Sequence, residues 1–68
     1  MNNAKIRVNG QFEALATTVS ALLAAKNLEA ARGVAVAVNN SVVPRSAWPT
    51  THLTNGDVVE IVRAVGGG

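Results

Sequence analysis

The residues best suited to do chemistry are the last three, Gly66-Gly67-Gly68. A terminal glycine run has no side chain with which to pack, cap or catalyse, so what it presents is its α-carboxylate. With an ordinary pKa of about 3.3–3.7 that group is ionised at neutral pH and is a nucleophile towards an activated phosphate. Three extended residues reach roughly 10 Å, enough to enter a narrow cleft of a partner. Glycine also lets the backbone approach a ligand closely. The first reading is therefore a small carrier whose active group is its own C-terminus. The competing reading is an inert end, since chain termini commonly fray.

The remaining side chains narrow the choice. The chain has no cysteine, which excludes disulfides, thiolate metal sites and cysteine nucleophiles. A lone histidine, His52, cannot build a multi-histidine metal site, and no base or nucleophile accompanies it in the sequence. No glycine-rich loop opens a helix to cradle nucleotide phosphates, so a partner would have to supply any activation chemistry. A free-standing enzyme is the class least supported. Six basic residues against four acidic ones give a net charge of +2. Lys5, Arg7, Lys26, Arg32, Arg45 and Arg63 are scattered, and the only aromatics are Phe12 and Trp48. Nucleic-acid binding would want a basic stripe or a stacking platform, so no nucleic-acid partner is expected. The longest apolar run, Val34 to Val38, is far too short to span a membrane, and no signal sequence precedes it. No membrane role is expected; absence of cysteine fits a reducing cytoplasm.

These features need elements to position them. Sixty-eight residues make one domain with a small core, and 49% hydrophobic against 15% charged residues argues for a folded globule. Ala4-Lys5-Ile6-Arg7-Val8 alternates, a strand with Ile6 and Val8 inward. Asn9-Gly10 is a two-residue hairpin turn, and Gln11 to Leu15 returns as a second strand. Thr17 and Thr18 offer N-cap hydroxyls before a helix starting at Val19, where Val19, Leu22, Leu23 and Lys26 share one face. Leu28 continues the apolar contact, and Asn27 to Gly33 is a loop broken at Gly33.

Val34-Ala35-Val36-Ala37-Val38 predicts a third strand, valines on one face and alanines on the other. Asn39-Asn40 turns the chain into a short fourth strand, Ser41 to Val43, ended by Pro44. Arg45 to Thr54 reads as irregular, and Asn55-Gly56 as a second hairpin-type turn supported by Asp57. Val58 to Val65 is β-branched and predicts the last strand. Val59 and Ile61 would face the helix. Glu60, Val62 and Ala64 would lie on the open face with Ala35, Ala37, Lys5 and Arg7, a mildly apolar patch rimmed with charge. The expected fold is α+β: a mixed sheet of four to five strands packed on one helix, with the final strand beside the first, in the β-grasp order. Residues 1–65 would form the domain and 66–68 a flexible glycine tail.

In that order the sequence resembles the ThiS family, sulfur carriers of the thiamine pathway within the ubiquitin-like β-grasp superfamily. The residues carrying the resemblance are Val8-Asn9-Gly10, Thr18-Val19 with Leu22-Leu23, Val36-Ala37-Val38-Asn39, Val43-Pro44-Arg45 with Trp48, and Gly56-Asp57-Val58-Val59-Glu60-Ile61 running to the closing glycines. It covers nearly the whole chain. The resemblance implies that Gly67 and Gly68 are the carrying pair. A ThiF-type adenylyltransferase using ATP and magnesium would adenylate the Gly68 carboxylate. A cysteine-persulfide sulfur donor system would convert it to a thiocarboxylate, and thiazole synthase would accept the sulfur. The chain itself would bind no cofactor. Glu60, Val62, Arg63, Ala64, Val65 and Gly66 would form the partner-binding strip.

Two neighbouring readings use the same terminus. The small subunit of molybdopterin synthase usually carries prolines shortly before its terminal glycines, where this chain has Arg63-Ala64-Val65. A ubiquitin-like modifier would pass the activated carboxylate to a lysine and leave an isopeptide adduct. A passive interaction module differs in class, and predicts that removing Gly67 and Gly68 changes nothing.

Overall fold

The computed structural model describes residues 4–64. The Asn9-Gly10 turn forms because both residues take positive φ, 49° and 85°, as a two-residue hairpin turn demands. It joins β1 (Lys5–Val8) to β2 (Gln11–Ala14) in antiparallel register, with Arg7 opposite Phe12 and Ile6 opposite Glu13. Helix α1 (Val19–Ala25) starts at Thr18, whose hydroxyl accepts the Ala21 N–H at 3.1 Å, so of the two candidate caps Thr18 is the one used. Its Val19, Leu22 and Leu23 are buried, and Leu28 packs against the same core after the helix ends.

After the loop, β3 (Val34–Val38) turns through Asn39 and Asn40, both at positive φ, into β4 (Ser41–Val43). Strand β5 (Val58–Arg63) then inserts between β1 and β3, parallel to the first and antiparallel to the second. The sheet order is β2-β1-β5-β3-β4, a mixed five-stranded sheet with the helix on one face. The expected fold class is met. Ile6, Val8, Val36 and Val59 fill the sheet side of the core, opposite Val19, Leu22 and Leu23 of the helix.

Two segments differ from expectation. Arg45–Thr50 is a 3-10 helix, closed by the Ala47 N–H on the Pro44 carbonyl at 2.8 Å and by the Thr51 N–H on the Ala47 carbonyl at 3.0 Å. It carries Trp48 into the core, and the stretch beyond it adds Leu53. This segment is tied to the helix start through a Thr18–His52 bridge, flanked by Val19 N–H to Thr51 and Leu53 N–H to Thr17, each 3.0 Å. Asn55-Gly56 is no hairpin turn, because the segment it leads into pairs in parallel with β1. The Asp57 N–H bonds the Thr54 carbonyl at 3.1 Å and Gly56 sits at φ 89°, the requirement of the third residue in a type II turn. The expected glycine tail, and the domain boundary placed at residue 65, lie outside the described residues.

Candidate functional site

The described chain ends just beyond β5, the middle strand of the sheet. Two asparagines lock it from either side. Asn9 accepts the Ile61 N–H through Oδ1 at 2.8 Å and donates Nδ2 to the Ile61 carbonyl at 3.1 Å, so its amide continues the β1 ladder after the backbone has turned away. Asn39 accepts the Val58 N–H at 2.9 Å, and its own N–H reaches the Val58 carbonyl at 2.7 Å. Its Nδ2 also donates to Asp57 at 3.0 Å. Asp57 takes the Thr54 N–H at 2.8 Å and the Thr54 hydroxyl at 3.1 Å. The Thr54 backbone bond is the largest cause holding the Asp57 carboxyl below its ordinary range; desolvation, the next largest, opposes it, and the Asn39 and Thr54 side chains add to the lowering. Asp57 supports the turn, as the sequence suggests.

Alternation along β5 then sorts its side chains. Val59 and Ile61 face the core, while Val58, Glu60 and Val62 lie on the open face. Register aligns Glu60 with Ala37 and Val62 with Ala35, and Ala37 with Val42 one strand further out. These residues surround a shallow depression of about 300 Å³. Its apolar members are open to solvent: Val62 is 63% exposed and Val42 78%. On the other wing Phe12 is 72% exposed, with the Arg7 guanidinium 5.6 Å from its ring centre. The face is therefore broader than the strip read from sequence, which left out Phe12, Val42 and Val58. The signal for Phe12 was available: a two-residue turn after Val8 puts Phe12 opposite Arg7, on the outward side.

Arg63 has the parity of Val59 and Ile61 but stands opposite Val34 at the strand's end, exposed. Ala64 is exposed, and its N–H reaches the Gly33 carbonyl at 2.8 Å, the bond that ends the described ladder. Val65, Gly66, Gly67 and Gly68 lie outside the described residues. Structure thus brings Glu60, Val62, Arg63 and Ala64 to one end of one strand. His52 is exposed and joins no chemical cluster. Among the described residues no three His, Cys, Asp or Glu side chains gather as metal ligands, and no helix is long and apolar enough to cross a membrane.

On the helix side two polar groups are matched. Lys26, at the helix C-terminus, pairs with Glu13 of β2 at 2.7 Å. Trp48 is 2% exposed and its Nε1 donates to the Val43 carbonyl at 3.0 Å, the packed-indole role expected for it. The sheet face, by contrast, leaves Phe12, Val42, Val58 and Val62 open to solvent, an exposed apolar patch.

A mixed sheet in this strand order, grasping one helix, defines a ubiquitin-like β-grasp protein. Residues 3–68 match the ThiS family, and the chain belongs to that family. It is similar to the crystal structure of the thiamine biosynthesis protein ThiS from Geobacter metallireducens, at 32% identity and a TM-score of 0.77, over 94% of this chain and 99% of that one. It is also similar to the solution structure of a thiamine biosynthesis protein from the same organism, at 32% identity and a TM-score of 0.75, over 94% of this chain and 87% of that one. No curated protein matches the chain significantly.

Proposed function

We propose that this chain is the sulfur carrier of a thiamine-biosynthesis system, with the Gly68 carboxylate as its working group. The observation that supports the reading most is the reach of the family match, which runs through Gly67 and Gly68 and so includes the carrying pair. Solved neighbours described as thiamine biosynthesis proteins favour the thiazole pathway over the molybdopterin alternative.

In this proposal a ThiF-type adenylyltransferase docks on the open sheet face, where Glu60, Val62, Phe12 and Val42 are accessible, with Arg63 and Ala64 at the point where the C-terminal segment leaves. Val65 and Gly66 would then lead the carrying pair into the enzyme. A Gly68 carboxylate oxygen attacks the α-phosphorus of ATP, forming a mixed anhydride and releasing pyrophosphate. Sulfur from a persulfide donor attacks the acyl carbon and displaces AMP, and reductive cleavage of the S–S bond by a thiol leaves the thiocarboxylate. Thiazole synthase is the acceptor. ATP and magnesium belong to the partner, which supplies the phosphate site and charge stabilisation that adenylation requires.

The test is the intact mass of the chain after incubation with a cognate adenylating enzyme, ATP, magnesium and a sulfur donor. One sulfur in place of one oxygen, absent when Gly68 is deleted, is the expected result. No adenylate and no thiocarboxylate with cognate partners would overturn the carrier reading in favour of a passive module.

A further inference from the structure

Arg45 belongs to the Pro44-Arg45…Trp48 pattern, and neither ending a strand nor packing an indole accounts for it. Its guanidinium lies 4.5 Å from the centre of the Trp48 ring. From that seat Nη1 donates to the Glu29 carbonyl at 3.0 Å and Nη2 to the Ala31 carbonyl at 2.6 Å. One planar fork thus holds two carbonyls of the same irregular loop, a geometry that lysine cannot reproduce. The loop is also tied at its start, where the Leu28 N–H bonds the Leu23 carbonyl at 2.8 Å.

The far end of this loop is Gly33. Its carbonyl receives the Ala64 N–H at 2.8 Å. Gly33 sits at φ 71°, and a Cβ placed on it would come within 3.2 Å of both the Ala64 Cβ and the Ala64 carbonyl oxygen. The close approach of loop to strand end therefore depends on glycine here. Trp48, Arg45, the Glu29 and Ala31 carbonyls, Gly33 and Ala64 form one connected series from the core to the last described residue before the C-terminal segment.

We propose that Arg45 is a positioning residue for the reactive C-terminus: by holding the loop it fixes Gly33, and Gly33 fixes Ala64. The proposal rests on the reading of Gly68 as the working group. Four residues separate Ala64 from the end of the sequence. They span at most about 14 Å when extended, so the place where Ala64 is held limits where the carboxylate can reach. Near-attack geometry is sensitive to misplacement of that group, whereas docking through the sheet face is not.

The latch is tested first on the chain alone, by amide exchange in solution NMR. In Arg45→Ala the Ala64 amide is expected to exchange about tenfold faster, while the Asn39 amide, bonded to Val58 at the other end of β5, keeps its rate. Arg45→Lys should fall between. A general structural role would speed both amides together, and an unchanged Ala64 rate would overturn the latch.

The second measurement is adenylate formation with the ThiF-type enzyme and magnesium-ATP. Arg45→Ala and Gly33→Ala should each lower kcat with KM unchanged. The double variant should be no slower than Gly33→Ala, because both act through the same bond. Losses that multiply, or normal turnover in Arg45→Ala, would overturn the positioning role while leaving the carrier reading intact. Failure of the unsubstituted chain to be adenylated would instead overturn the carrier reading, and Ala64 exchange would still decide the latch.

Discussion

Asp57 shows how much organisation one half-buried side chain can impose. Its carboxylate collects the Thr54 N–H, the Thr54 hydroxyl and the Asn39 amide, just before β5 begins. These bonds favour the charged form and lower its pKa from the ordinary 3.8, the Thr54 backbone bond most of all. The sign follows from linkage. A folded-state pKa below the unfolded one means that the stabilisation is complete above the unfolded pKa and is lost as pH falls through the folded value. Asp57→Asn should therefore be less stable than the parent chain at neutral pH, with a gap that closes below about pH 4. Paired denaturant titrations at neutral and acid pH check this. A gap that persists unchanged into acid would assign the effect to packing. Neighbouring Gly56 could be read from sequence as a turn residue, but the turn type could not, because it depends on β5 pairing in parallel with a strand about fifty residues earlier.

Among the elements, β5 is the most legible in the sequence. Its β-branched residues and period-two alternation placed Val59 and Ile61 inward and Glu60 and Val62 outward, as the structure has them. The hairpin at Asn9-Gly10 and the valine–alanine alternation of β3 were equally direct, because each is a local rule satisfied locally. The 3-10 helix was not legible: Pro49 argues against a regular ladder without saying what replaces it, and Leu53 joins the core only through a long-range bridge to Thr18. Arg45 was visible as a pattern member, while its carbonyl partners lie 14 and 16 residues away. Asn9 is the same kind of case. Sequence shows its turn role, and only the fold shows that its amide replaces the missing rungs beside Ile61. Asn9→Gly keeps the positive φ and removes both side-chain bonds, each worth about 0.5–1.5 kcal/mol at most in this exposed setting. The expected cost is therefore about 1–3 kcal/mol by denaturant titration. Asn9→Ala should cost about 1 kcal/mol more, because alanine resists the left-handed region. Equal losses for the two would mean that the turn conformation matters little; no loss in Asn9→Gly would remove the amide from the account of β5.

For the molecule as a whole, the two sides of the sheet differ in character. One side holds the hydrophobic core, with its charge from Lys26 and Glu13 paired at the margin. The other leaves Phe12, Val42, Val58 and Val62 open beside Arg7 and Glu60. The core and the open apolar face thus lie on opposite sides of the sheet, so the docking proposed for the open face is separable from stability by substitution. Val62→Asp tests that separation. Aspartate is a poorer strand former than valine, so a stability cost of up to about 1 kcal/mol is expected. Docking should suffer more, since an unpaired carboxylate in an apolar contact must be desolvated. The predicted result is a rise of about tenfold or more in the KM of the adenylating enzyme for this chain, with kcat at saturation largely kept, the signature of lost uniform binding. That pattern is the inverse of the one expected for Arg45→Ala, where binding is kept and turnover falls. If Val62→Asp leaves KM unchanged while remaining folded, the open face is an ordinary solvated surface. Recognition would then rest on the strand end and the glycine segment alone. If it lowers kcat without moving KM, the face contributes to placing the terminus rather than to holding the partner.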